Sequence, residues 1–210
     1  MSLPAPLEVE LKLALEAPER LDALLEALPA PRTVVEQRNV YLVPAAGPPE
    51  GEPVMVRVRE VWQVREAARS REALLLTAKR RRSVDNGVFV AEEHEQPLDA
   101  ERWEAFEAGA ELAGATGPVF DWLAANGLRG PWRIEGEMRN ERREIPVEGY
   151  RLEVDRTTFP DGTVDAEVEV ETADPEGARV LLARLAAGAG VALRPQTLTK
   201  YARFLAHGGR

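Results

Sequence analysis

Leu7, Val9, Leu11 and Leu13 alternate with Glu8, Glu10 and Lys12. In a β-strand, residues two apart point to one face, so this segment has an apolar face and a charged face. The pattern returns along the chain and predicts eight strands, at about 7–15, 32–43, from 54, 72–82, 88–96, 132–146, 149–157 and 164–172. Turn residues stand between several of them: Asp85-Asn86-Gly87, Glu148-Gly149 and Pro160-Asp161-Gly162. A Pro/Gly loop is expected at 44–53.

Other segments change to a helical period. After Pro18, Leu21, Leu24, Leu25 and Leu28 form an apolar stripe that ends at Pro29. Residues 99–127 predict two helical pieces, split near Gly114 to Pro118. Asp174-Pro175 starts a helix with Ala178, Leu181, Leu182 and Leu185 on one side, stopped by Gly188 and Gly190. A short helix is expected over 197–206. The fold class is therefore α+β. Eight antiparallel strands can close into a barrel, which removes exposed edges, and helices would cover its apolar outer face. The charged faces then line a bore. Residues 1–210 are expected to form one domain of this kind.

Composition narrows the chemistry. There are 36 acidic and 27 basic residues, for a net charge of −9, which disfavours general nucleic-acid binding or an anionic-membrane surface. There are no cysteines and only two histidines, so a thiolate or histidine zinc centre is not expected. A metal would be held by carboxylates, which favours Mg²⁺ or Mn²⁺. No run approaches the roughly 18 apolar residues of a membrane span. The first residues lack the pattern of a signal peptide, so a cytoplasmic location is expected.

The charges are sorted by strand. Acids fall on the first (Glu8, Glu10), fifth (Glu93, Glu95), seventh (Glu153, Asp155) and eighth (Glu167, Glu169, Glu171). Bases fall on the third (Arg57, Arg59), fourth (Lys79, Arg81) and sixth (Arg142). A solvated face would not predict this sorting. A bound polyphosphate with a hard cation would, because Arg and Lys neutralise phosphate oxygens while carboxylates hold the metal.

These segments carry a resemblance. Glu8-Val9-Glu10-Leu11-Lys12 fits an E-x-E-x-K motif, and VRVR at 56–59, TAKRR at 77–81 and AEEHE at 91–95 fit the strands that follow. The stretch from GEMRNERR to ETADPE, and TLTKY near Lys200, complete the ordered set. Together they resemble the CYTH superfamily of triphosphate tunnel metalloenzymes. The resemblance implies an eight-stranded antiparallel tunnel and divalent-metal-dependent action on a small triphosphate. Inorganic triphosphate hydrolysis leads, with a class IV-type adenylyl cyclase or a thiamine-triphosphatase as alternatives, and a non-catalytic polyphosphate-binding module beyond those. It implies metal binding by Glu8, Glu10, Glu153, Asp155, Glu167, Glu169 and Glu171. Lys12, Arg57, Arg59, Lys79, Arg81 and Arg142 would contact phosphates. Glu93 and Glu95 would activate or orient water, and Lys200 would assist the leaving group.

Several residues have simpler readings. Alternation turns Arg80 and Arg82 outward. However, Val90 stands where relatives often carry an arginine, so either Arg80 or Arg82 supplies that phosphate contact or it is missing. In the second strand, Tyr41-Leu42-Val43-Pro44 replaces the usual Tyr-x-Asp-Thr. Trp103, Phe106 and Trp122 are expected to pack helices on the sheet, and Trp62 to stand near the tunnel rim. His94 is expected to be structural, and His207 to lie in a frayed tail.

Overall fold

A computed structural model of the chain describes residues 7–47, 54–65, 68–112 and 116–209. The strands are β1 (Leu7–Leu15), β2 (Thr33–Pro44), β3 (Val54–Arg65), β4 (Ala68–Asp85), β5 (Val88–Pro97), β6 (Trp132–Val147), β7 (Tyr150–Thr158) and β8 (Val164–Glu171). A three-residue β9 (Leu193–Pro195) follows. The sheet runs β5-β4-β3-β2-β6-β7-β8-β1, and β1 pairs antiparallel with both β8 and β5. The eight long strands therefore close into an antiparallel barrel, as the alternation predicts.

Closure depends on the apolar faces turning outward, where helices cover them. A 3₁₀ turn at Pro18–Arg20 leads into α1 (Leu21–Glu26), and Asp174 caps α4 (Pro175–Ala189) by accepting from the Gly177 amide at 3.0 Å. These helices bury Leu24, Leu181 and Leu182 on Leu11, Leu152, Val154 and Val168 of β1, β7 and β8. On the other half, α2 (Ala100–Glu107) and α3 (Pro118–Ala125) set Trp103, Phe106, Val119 and Leu123 on Val40, Val58, Leu76 and Ala78. The Trp103 indole N–H donates to buried Glu60 at 3.0 Å, which satisfies both groups.

A third apolar group joins the inward-facing Tyr41 and Met138 to Phe159 and to Phe204 of α5 (Lys200–Ala206). Thus α5 packs across one end of the barrel. Thr199 caps this helix by accepting from the Ala202 amide at 3.1 Å, so the helix begins later than the expected 197. Strand β9 lies just before, at Leu193–Pro195, and is too short for any period to reveal. Helix α4 runs through Gly188 and stops at Gly190, which takes the left-handed conformation. The fourth strand exceeds its expected length at both ends. The break expected near Gly114, and most of the loop expected at 44–53, lie outside the described residues.

Asn86 and Gly87 both have positive φ, the requirement of a tight hairpin turn. This turn also closes the barrel seam, because the Lys12 amide donates to the Gly87 carbonyl at 2.8 Å. A Cβ at Gly87 would meet the Lys12 carbonyl oxygen at 2.7 Å, whereas one at Gly149, also at positive φ, would meet nothing within 4 Å. Gly149→Ala should cost about 1 kcal/mol for its backbone alone. Gly87→Ala should cost clearly more, as urea unfolding of the two variants would show.

Candidate active site in the barrel bore

The bore holds a cavity of about 300 Å³, at the small end for ligand sites. Period-two alternation delivers its lining: Arg57 and Arg59 from β3, Lys79 and Arg81 from β4, Glu93 from β5, and Arg142 from β6. Glu8, Glu10 and Lys12 of β1, Glu153 of β7, Glu169 and Glu171 of β8, and Lys200 of α5 complete the charged set. A register shift between Arg81 and Ser83 leaves Arg82 as the extra residue of a bulge. Arg82 pairs outside with Glu92, and Arg80 donates to Asn126 at 2.6 Å while lying over the Trp122 ring. Neither lines the bore, so neither supplies the phosphate contact weighed for them. Ala91 lines it on β5.

Antiparallel register sets acid against acid. Glu10 lies opposite Glu171, Glu153 opposite Glu169, and Asp155 opposite Glu167. Like charges so placed repel and need cations between them. Arg142 donates to Asp155 at 2.8 and 2.6 Å and to Glu169 at 2.7 Å, and it also pairs with Glu153. Lys12 lies 2.9 Å from Glu10 and 2.7 Å from Glu169. Lys79 pairs with Glu8 and lies 2.8 Å from Glu93. Lys200 reaches Asp155, Glu167 and Glu169 at 2.5, 2.7 and 2.6 Å. The basic wall differs. Among the described residues, Arg57, Arg59 and Arg81 have no ion-pair partner, and the buried Arg57 Nε has no acceptor.

The CYTH domain profile matches residues 6–202. The chain belongs to the CYTH family. A solved structure from Hippeastrum, of a protein named as an adenylyl cyclase and reported to have a dominant triphosphatase activity, is 26% identical with a TM-score of 0.82. The match covers 95% of each chain. A Bacillus halodurans protein named as an adenylate cyclase is 21% identical with a TM-score of 0.66, over 94% of this chain and 98% of that one. A Pyrococcus horikoshii protein is 15% identical with a TM-score of 0.59, over 94% and 98%. The last two share the fold. No curated protein matches the chain at a significant level.

Three residues proposed for the CYTH site lie off the cavity wall. Glu95 has the inward parity but is exposed and accepts from Thr77 at 3.2 Å, so it is not beside Glu93 in the bore. Asp155 and Glu167 are buried behind the lining, where with Glu169 they offer oxygens within 4.8 Å of one another, close enough to hold a cation. Trp62 does not stand at the rim. It shares the outward parity of Val58 and Glu60, and its indole donates to Glu60 at 3.4 Å. His94 packs against Trp122 with tilted rings 4.6 Å apart, in keeping with a structural role. His207 is not frayed: it stacks on Phe159 at 4.7 Å and meets Asp161 at 2.9 Å.

The CYTH bore also uses residues that sequence reasoning left aside. Tyr41 lines it, and its i, i+2, i+4 spacing with Gln37 and Asn39 was the available signal. Asn39 accepts from Arg59 at 3.1 Å. Asn140 donates to Asp155 Oδ1, the oxygen that Arg142 Nε also reaches, at 3.0 Å and accepts from Thr157 at 3.0 Å. Arg203, three residues after Lys200, donates to Glu167 at 2.7 Å.

The network separates the carboxyls by pKa. Burial alone would raise Asp155, but Arg142 and Lys200 outweigh it and hold it at about 2. Glu93 also sits at about 2, because Lys79 and Arg57 overcome its burial. Glu169 lies well below its ordinary value despite burial, through Lys12, Lys200 and Arg142. Glu8 goes the other way: burial and the charge of Glu10 push it up to about 7. Glu153 is raised too, chiefly by burial. Burial and the neighbouring charges of Arg57 and Arg142 lower Arg59 to about 10.

These shifts give stability a pH signature. The contribution of Asp155 is present above its ordinary 3.8 and is lost as pH falls through about 2. That of Glu8 is present below its ordinary 4.5 and is lost as pH rises through about 7. In EDTA the melting temperature should therefore decline from pH 5 to 8, and Glu8→Gln should flatten that decline. Thermal melts of both proteins across this range would show it.

Proposed function

We propose that this CYTH chain, taken as one tunnel domain, hydrolyses inorganic triphosphate, or a closely related triphosphate compound, with Mg²⁺ or Mn²⁺. The observation that carries this reading is the basic wall. Arg57, Arg59 and Arg81 line a small cavity with no carboxylate partner among the described residues. Arg57 is buried, Arg59 is half-buried and Arg81 is exposed. A buried guanidinium without an ion pair is costly, and a polyanion is the natural partner for three arginines on one wall. The reported activity of the Hippeastrum relative supports the same choice.

The residues fit a hard cation on the acidic side. Glu8 and Glu153, whose pKa values burial raises, would hold it with Glu10 and Glu171 on the same wall. When bound, the ion would offset phosphate charge and favour attack by water. The chain's own groups then bind and orient. The three arginines grip phosphate oxygens. Water adds to a terminal phosphorus as the bridging P–O bond breaks, giving phosphate and pyrophosphate. Lys79, Lys12, Arg142 and Lys200 balance the charge that gathers on the leaving oxygens. Glu93, with a pKa near 2, is too weak a base to take the proton in advance and instead orients the water. Glu95, off the wall, has no part in this step.

A second reading has its own observation. Met55, Phe89, Tyr201 and Leu205 give the bore an apolar side that could take the organic group of a nucleotide or of thiamine triphosphate. Adenylyl cyclase or thiamine-triphosphatase activity would use it. No helix among the described residues is long and apolar enough to cross a membrane.

The test is phosphate release from inorganic triphosphate, ATP and thiamine triphosphate with Mg²⁺, Mn²⁺ or EDTA. Rapid metal-dependent release from inorganic triphosphate alone is expected. Formation of cyclic AMP from ATP would move the assignment to the cyclase. Arg57→Ala should raise KM about tenfold or more, the loss of one charge-assisted contact, with a smaller change in kcat. A lowered kcat at unchanged KM would argue against a phosphate grip.

A further inference from the structure

The three carboxylates grouped tightly enough for a metal, Asp155, Glu167 and Glu169, already contain a cation. The Lys200 ammonium lies within 2.7 Å of an oxygen from each. Arg142 reaches Asp155 and Glu169, Lys12 reaches Glu169, and Arg203 reaches Glu167. Arg142, Lys12 and Arg203 are shared with Glu153, Glu10 and Asp165, but every ion pair of Lys200 is made to the triad. Four positive side chains thus converge on three carboxylates. A divalent ion added there would meet strong repulsion, and two of the three acids are sealed from the cavity.

We infer that Lys200 is a built-in counter-ion that takes the cation's place in the Asp155–Glu167–Glu169 triad, seats α5 against the barrel, and keeps divalent metal out of that triad. This rests on the proposed function only in supposing that metal binds elsewhere in the bore. The depressed pKa values of Asp155 and Glu169 agree, being those of acids whose charge is already met. Lys200 and Arg203 lie on one side of α5, so one helical turn carries both anchors into the acids. Lys200 thereby also holds the helix that supplies Tyr201 and Leu205 to the cavity wall.

The test counts Mn²⁺ bound per chain, from loss of the free-ion paramagnetic resonance signal, in the full chain without substrate. Three proteins are compared: wild type, Glu167→Gln and Lys200→Met, each checked for folding by circular dichroism. Glu167→Gln should keep the wild-type Mn²⁺ count and affinity. Lys200→Met should take up one more ion than wild type, and Mn²⁺ should raise its melting temperature more. Loss of an ion in Glu167→Gln, or affinity weakened about tenfold or more as expected for a lost ligand, overturns the inference. So does an unchanged count in folded Lys200→Met. Glu167→Gln is isosteric and decides the point alone if Lys200→Met does not fold. A wild type that binds no Mn²⁺ would count against the proposed metal chemistry instead. The gain of an ion in Lys200→Met would then still decide the role of Lys200.

Discussion

The barrel depends on neutralising its own interior. Its apolar faces point outward under helices, so its charged faces must point inward. Antiparallel register then sets Asp155 opposite Glu167 and Glu153 opposite Glu169. Such pairs are tolerable only if cations stand between them. Arg142, reaching Asp155, Glu153 and Glu169 from one side chain, and Lys200, arriving from a helix across the barrel end, meet that demand. The position of α5, the closure of the sheet and the shape of the bore all follow from it.

The two walls of the bore are balanced differently. Lysines and Arg142 are tied into the acidic wall, while among the described residues Arg57 and Arg59 of β3 and Arg81 of β4 make no ion pair. The cavity therefore has a positive side that suits an anion and an acidic side on which burial raises the pKa values of Glu8 and Glu153, a cost that further positive charge would relieve. Neither half explains the other's composition. A ligand that is an anion and carries a hard cation explains both.

Much of this could be read from residue order, and the gaps have physical causes. Period-two alternation says which face a side chain takes, so Lys79 and Arg81 were separable from Arg80, and Glu8 and Glu10 from Val9. Alternation does not say how far along the bore a residue lies. Glu95 shares the parity of Glu93 yet falls off the cavity wall, and Asp155 and Glu167 share the parity of lining acids yet are buried behind them. A bulge breaks the parity in β4 after Arg81. Contacts between distant segments, such as His207 on Phe159 or Arg203 on Glu167, leave no local pattern at all. Strand β9 is too short for any periodicity.

The pairing of β1 has a consequence for how the chain folds. Strands β3, β4 and β5 adjoin one another in sequence order, as do β6, β7 and β8, and such local hairpins form early, whereas β2 must reach β6 across nearly a hundred residues. Strand β1 must find β5, β8 and β9, each far along the chain, before the ring is complete. Most of the acids stand on β1, β7 and β8 and Arg57, Arg59 and Arg81 on β3 and β4, so the two sets face one another only in the closed ring. A partly folded chain would thus expose apolar sheet outside and unmatched charge inside. A triphosphate bound with its cation would bridge the two pieces and bind the finished ring alone, so by mass action it would stabilise the closed barrel.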